Sequence, residues 1–343
     1  MSILKLTPSC KDYLWGGSRL RTDFGVQSDL NPLAEAWVLS CHPDGPSYLP
    51  DGTMLADYLA AHPEAAGTDC KKFEMFPVLT KFIDAKNSIS IQVHPSNEYA
   101  LEHEHQYGKT EMWYVLDCEP GAFLYYGFDH EISREELEER IRNNTLTEVL
   151  NAVPVKKGDC FFIPSGTLHA ICKGVVVVEV QQNSNVTYRV YDYGRVGADG
   201  KPRALHVKQA LEVMRRTPPE QHDFSPHLAK CDYFTVDVVA GGHTGTADET
   251  EVIRPFLVPL LLQVVVQDVV VAQSGTLPPG NRLEALPLSE PPVIENGAWA
   301  RTDKTGKTTR PASAACAPSR RAKPIVGTRR LAVFARVMPA PPP

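Results

Sequence analysis

The chain has 343 residues, a formal net charge of −6 and 43% hydrophobic residues. That length buries a sizeable core and has room for two domains. The acidic balance lacks the basic excess of a nucleic-acid binder, and the N-terminal residues lack the apolar run of a signal peptide. The eight cysteines are scattered without a Cys-x-x-Cys pair and read as reduced thiols of a cytoplasmic protein. The Leu/Val-rich stretch from Phe256 to Ala272 contains Pro259, Gln263, Gln267 and Asp268, which argues for buried strands or a misread segment and against a membrane span.

In chain order, strands are predicted at Val78–Asp84, Ser88–Val93, Met112–Leu116, Ala122–Tyr126, Cys160–Ile163 and Val175–Val180, all rich in aromatic and β-branched residues. Val175–Val180 is apolar on both faces and reads as a central strand. A polar helix is predicted from Asn97 to Tyr107. A second opens with the capping box Ser133-Arg-Glu-Glu136 and runs to Arg142; a third stretch follows from Thr147, and a fourth spans His206–Arg216. Many strands with few helices point to a mainly β fold, a barrel or sandwich. Near Val252 the chain gains proline and basic residues, and Asn296–Pro343 reads as a disordered basic tail without regular period.

Four side chains carry a chemical signal. Gln92 and His94 lie two apart in a strand-like run and so share a face. Glu111 follows in Lys-Thr-Glu-Met-Trp, and His169 closes Gly158-x5-Pro164-x-Gly166-x2-His169. One amide, two imidazoles and one carboxylate suit a divalent metal with an open position.

The Gly158–His169 spacing resembles the second motif of the cupin superfamily, and Gln92-Val-His94 with Glu111 resembles the first. Leu79–Lys86, Ser90–Pro95, Gly108–Tyr114, Lys11–Gly17, Glu35–Pro43 and Gln181–Gly194 are similar to signature blocks of the mannose-6-phosphate isomerases, in their short bacterial form. The resemblance runs from about residue 5 to residue 250. It implies a mainly β cupin, a jelly-roll β-barrel with a few inserted helices, over residues 1–225. A remnant of a second, incomplete cupin-like barrel over 226–295 and the basic tail at 296–343 would follow. The expected pattern stops near Glu251, and the abrupt change in composition reads as a shifted reading frame, an idea that an intact frame on resequencing would dispose of.

The resemblance further implies one zinc per chain held by His94, Glu111 and His169, with Gln92 as a fourth ligand, and a hexose 6-phosphate as substrate. Arg189 takes the place of the active-site arginine. Aldose–ketose isomerisation through a cis-enediol needs positive charge at the developing oxyanion and a proton-transfer group. Lys109 is a candidate for the second role, as is a metal-bound hydroxide. Lys81, Lys109 and Arg195 are candidate phosphate contacts, and Trp15 and Trp113 candidate walls or supports of the pocket. Two alternatives stand beside the isomerase: a cupin that binds a sugar or sugar phosphate without turnover, and a metal-dependent oxygenase. The lack of a His-x-His pair speaks against the second.

Overall fold

The computed structural model describes residues 3–66, 69–196 and 200–240, together with five short strands beyond them. In chain order the elements begin with β1 (Ile3–Lys5), β2 (Ser9–Lys11), α1 (Arg19–Thr22), β3 (Glu35–Leu39), α2 (Leu55–Ala61), β4 (Val78–Ala85) and β5 (Ile91–Val93). There follow α3 (Asn97–His103), β6 (Glu111–Cys118), β7 (Phe123–Phe128), α4 (Arg134–Arg142), β8 (Leu150–Pro154), β9 (Cys160–Ile163) and β10 (His169–Ile171). Then come β11 (Val175–Gln182), β12 (Tyr188–Tyr191), α5 (Val207–Val213), β13 (Ala229–Lys230) and β14 (Thr235–Ala240). The outlying strands are β15 (Arg254–Phe256), β16 (Val270–Ala272), β17 (Ile294–Glu295), β18 (Ala298–Trp299) and β19 (Leu331–Arg336).

Two antiparallel sheets build the barrel. One has six strands in the order β2-β3-β4-β11-β6-β9, the other five in the order β12-β5-β10-β7-β8. The mainly β expectation and the central place of Val175–Val180 both hold, since β11 lies between β4 and β6 along its whole length.

Strand alternation explains why β11 is apolar on both sides. Val175 and Val177 join Ile83, Trp113, Val115, Leu124 and Ile171 in a core drawn from both sheets. Val176, Val178 and Val180 join Val38, Phe82, Met112 and Leu116 in a second core, covered by Leu55 and Leu59 of α2. Phe234 and Val236 also belong to that second core, so the start of the region assigned to the second barrel packs onto the first.

α4 starts at its capping box. The Ser133 hydroxyl accepts the Glu136 amide at 3.1 Å and caps α4. The polar insertion between β5 and β6 is helical over α3, shorter than its sequence expectation. The stretch from Thr147 is corrected: Leu146–Val149 is a single 3-10 turn, and the chain then runs straight into β8. Pairing of Leu124 with Val153 and of Tyr125 with Ala152 gives these residues a ladder that a helix would forfeit.

Within Asn296–Pro343, Ala298–Trp299 and Leu331–Arg336 form strands, which departs from the expectation of a tail without regular structure. The second of these pairs with β14 from Thr235↔Arg336 to Ala240↔Leu331. Its Leu-Ala-Val-Phe-Ala run has the β-branched and aromatic content a ladder favours. β1 pairs with β16, at the end of the Phe256–Ala272 stretch, whose middle lies outside the described residues, as does most of the tail. No helix among the described residues is long and apolar enough to cross a membrane.

Candidate metal centre and active-site cavity

Sheet register sets the site. On the five-stranded sheet, Arg189 of β12 is opposite Gln92 of β5, Gln92 is opposite His169 of β10, and His169 is opposite Tyr126 of β7. Directly opposed residues share a face, so this row looks into the barrel. On the six-stranded sheet Glu179 of β11 is opposite both Lys81 of β4 and Trp113 of β6. Lys109, two residues before Glu111, falls on the same side as that carboxylate.

The turn before β10 joins the two histidines. Gly158 and Gly166 have φ of +93° and +86°, a region that L side chains avoid. The Gly166 amide donates to the His94 carbonyl at 2.8 Å, so the bend that delivers His169 is bonded to His94. A Cβ on Gly166 would lie 2.9 Å from the Val213 carbonyl oxygen.

His94, Glu111 and His169 are buried, and one ligating atom from each lies within 4.8 Å of the others. His94 Nδ1 is 2.8 Å from the Val186 carbonyl oxygen, and His169 Nδ1 is 2.8 Å from that of Thr167. A carbonyl only accepts, so Nδ1 carries the proton on both rings and each Nε2 presents a lone pair. Nε2 of His94 is 3.6 Å from Glu111 Oε2, and that of His169 is 3.3 Å from Oε1. Glu111 Oε1 and His169 Nε2 are buried with no hydrogen-bond partner. With Glu111 ionised, two unpartnered acceptors facing each other are unfavourable unless a cation lies between them. Carbonyl bonds from the distal ring nitrogens are what orients histidine ligands in metal sites. The donor set therefore fits a divalent metal.

Electrostatics agree with neutral rings. Burial, reinforced by the Lys109 ammonium, pushes His94 far below the usual histidine value, and the same causes take His169 to about 4.

Beside the donors lies a buried charge network. Lys109 Nζ contacts Glu111 Oε2, approaches His94 Nε2 at 3.2 Å and donates to Glu179 Oε1 at 3.3 Å. Trp113 Nε1 donates to Glu179 Oε2 at 2.8 Å. Lys81 bridges Glu179 at 3.5 Å and Glu35 at 3.8 Å, and its ammonium lies 4.5 Å from the Trp37 ring centre. Burial and the neighbouring Glu179 raise Glu111 to about 8. Burial alone would raise Glu179 too, but Lys109, Lys81 and the Trp113 N–H overcome it and hold that carboxyl at about 2.

The network opens into a cavity of about 230 Å³ lined by Trp15, Lys81, Gln92, Lys109 and Arg189, all singled out in the sequence, with Glu35, Glu179, Tyr13, Arg203 and His206 among its other walls. Trp15 stacks under Tyr13 with ring centres 5.6 Å apart. Gln92 faces the cavity with its amide oxygen accepting from Ser90 Oγ at 3.2 Å. Trp113 is fully buried beneath the site as a support. Arg195 is not brought to the cavity. Its guanidinium donates to the Ser88 carbonyl at 2.6 Å and contacts Asp192. The residues missed in the sequence include Glu179, the only charge in the valine run of β11, which was the available signal for it.

A sequence model of the type I phosphomannose isomerase catalytic domain matches residues 3–119. The chain is 44% identical to a mannose-6-phosphate isomerase of Streptococcus mutans over 205 residues, which are 59% of this chain and 64% of that protein. It is 39% identical to the mannose-6-phosphate isomerase ManA of Bacillus subtilis over 244 residues, 67% of this chain and 76% of ManA. The chain thus spans under two thirds of the streptococcal relative and about three quarters of ManA. The crystal structure of a Bacillus subtilis mannose 6-phosphate isomerase superposes with a TM-score of 0.68 and 32% identity, covering 80% of this chain and 98% of that one. With these relatives and the jelly-roll sheets in place, the chain belongs to the type I phosphomannose isomerase family.

Proposed function

We propose that the chain is a zinc-dependent isomerase that interconverts mannose 6-phosphate and fructose 6-phosphate. The observation that carries this reading is the buried His94–Glu111–His169 donor set with its two orphaned atoms, joined through Lys109 to a cavity lined by Lys109, Glu179 and Arg189. The names of its relatives supply the substrate.

His94, Glu111 and His169 would hold the zinc, with Gln92 a possible fourth donor from the cavity wall. Bound there, zinc supplies positive charge at the substrate's C1 and C2 oxygens. The reaction moves a proton between C2 and C1 through a cis-enediol, so the chain must stabilise an enediolate and carry that proton. Arg189 lines the same cavity, its Nε donating to Ser90 Oγ at 3.2 Å, but it lies one strand beyond Gln92 from His169, so its fixed cation faces the far end of the substrate and not the enediolate. Lys109 is the proposed proton-transfer group, because it lies between Glu111 and Glu179 with its ammonium reaching the cavity. Glu179 holds that ammonium in place, and Trp113 holds Glu179. Trp15 and Tyr13 wall off water on one side.

Each of these residues lies before residue 225, within the proposed catalytic unit 1–225, and the remnant and tail at 226–295 and 296–343 contribute none of them. A charged hexose phosphate substrate places the protein in the cytoplasm under this reading. Turnover in deuterated water tests the proton transfer: product and recovered substrate should carry deuterium at C1 or C2, read by NMR. Turnover with complete retention of the substrate's hydrogen would favour a hydride shift and sink the enediol reading.

A further inference from the structure

The two ends of the cavity differ in charge balance. At the metal-centre end, Lys81 and Lys109 face Glu35, Glu111 and Glu179, so each ammonium is already matched by carboxylates. At the other end three arginines gather around one carboxylate. Asp192 receives Arg203 Nε at 2.7 Å and Nη2 at 2.6 Å, and Arg195 Nε at 3.2 Å. Arg189 lies in the same field, its pKa lowered by burial and next by Arg203. Three guanidinium charges against the single charge of Asp192 leave an excess of two positive charges. A phosphate monoester carries close to that charge with opposite sign at neutral pH.

The β12 edge and the loop returning to α5 deliver the donors. The His206 amide donates to the Arg189 carbonyl at 2.8 Å, and the Arg189 amide donates to His206 Nδ1 at 3.2 Å. That second bond makes Nδ1 an acceptor, so the proton of the neutral ring is on Nε2. His206 and Arg203 both line the cavity, whereas Arg195 does not. Glu104, a carboxylate within electrostatic reach of His206, is bonded to the Tyr188 hydroxyl at 2.8 Å and is not a cavity wall. Arg189 and His169 are separated by one strand, about 10 Å across the sheet, which suits a six-carbon sugar phosphate lying between them.

We propose that Arg203 and His206, together with Arg189, seat the substrate's phosphate, and that Asp192 and Arg195 brace the seat without touching the ligand. This rests on the isomerase reading for the identity of the sugar and on charge and placement for the phosphate. It moves the phosphate away from Lys81 and Lys109, which face three carboxylates, and away from Arg195, which is not a cavity wall; Arg203 is paired with Asp192 as Arg195 is, but unlike Arg195 it lines the cavity.

The test compares wild type with Arg203→Gln, Arg203→Lys and His206→Ala, first by titration with inorganic phosphate followed by 31P NMR, then by steady-state kinetics. Arg203→Gln should weaken inorganic phosphate and raise KM for mannose 6-phosphate by about ten- to a hundredfold, with a smaller change in kcat. Arg203→Lys should recover part of the loss, and His206→Ala should move KM in the same direction, which covers an Arg203→Gln chain that does not fold. Phosphate affinity and KM within twofold of wild type in folded Arg203→Gln and His206→Ala chains would overturn the seat. A wild-type chain that binds phosphate through Arg203 without isomerising the sugar would overturn the isomerase reading and leave the seat standing.

Discussion

Replacing Glu111 with glutamine should abolish stoichiometric zinc binding and lower kcat/KM for mannose 6-phosphate by about a thousandfold or more. Glu111 offers one carboxylate oxygen to each histidine, at 3.6 Å from His94 Nε2 and 3.3 Å from His169 Nε2. Both rings are neutral, so Glu111 is the one of these three donors that can give up a proton and supply negative charge to a cation. Glutamine keeps the volume and one acceptor but removes that charge, and its amide nitrogen would point donors at a lone pair or at Lys109. The barrel should survive, because Lys109 keeps Glu179 as its partner. Metal analysis and circular dichroism on the same sample check both halves. A Glu111→Gln chain that retains one zinc and wild-type turnover would remove this carboxylate from the metal centre.

The second large effect falls on stability. Glu179→Gln should destabilise the fold by about 3–5 kcal/mol, the range for a buried ion pair that loses one partner. Among the described residues Glu179 is the carboxylate that both buried lysines share: Lys81 at 3.5 Å and Lys109 at 3.3 Å. Glutamine can still accept from Trp113 Nε1, but it leaves two buried ammonium groups with less compensation. Urea unfolding of the metal-free chain reads the loss directly. A change under about 1 kcal/mol would mean that water or the remaining carboxylates satisfy both lysines.

The charge network shows where sequence reasoning reached its limit. Gln92, His94, Glu111 and His169 were legible because strand periodicity and a Gly-Pro-Gly turn fix their faces locally, and the folded sheets do turn them inward. Glu179 was hidden by the valines around it. A pattern read for hydrophobicity scores such a run as a buried strand and passes over its one carboxylate, and only the register with Lys81 and Trp113 shows what it does. Arg203 comes from a returning loop, which has no period to read, and is held by Asp192, while His206, at the start of α5, reaches the cavity through its amide and ring bonds to the Arg189 backbone. Arg195 was the arginine the sequence singled out as a phosphate contact, but Asp192 and the Ser88 carbonyl claim it. The 3-10 turn at Leu146–Val149 was extended into a helix for a similar reason: the ladder between β7 and β8 is a tertiary contact that local propensity does not encode.

The second core adds a structural consequence. Phe234 and Val236 close the outer face of the six-stranded sheet, whose inner face carries Lys81, Glu111 and Glu179. The start of the region beyond 225 thus supports the sheet that positions the charge network, although it provides none of the cavity walls.

The central claim is metal-dependent isomerisation by this chain, and the most direct measurement is conversion of mannose 6-phosphate to fructose 6-phosphate before chelation, after chelation and after zinc is restored. The account predicts activity that is lost with the metal and returns with about one zinc per chain. Turnover that is indifferent to chelation, or a chain that binds one zinc and the sugar phosphate yet forms no fructose 6-phosphate, would contradict it.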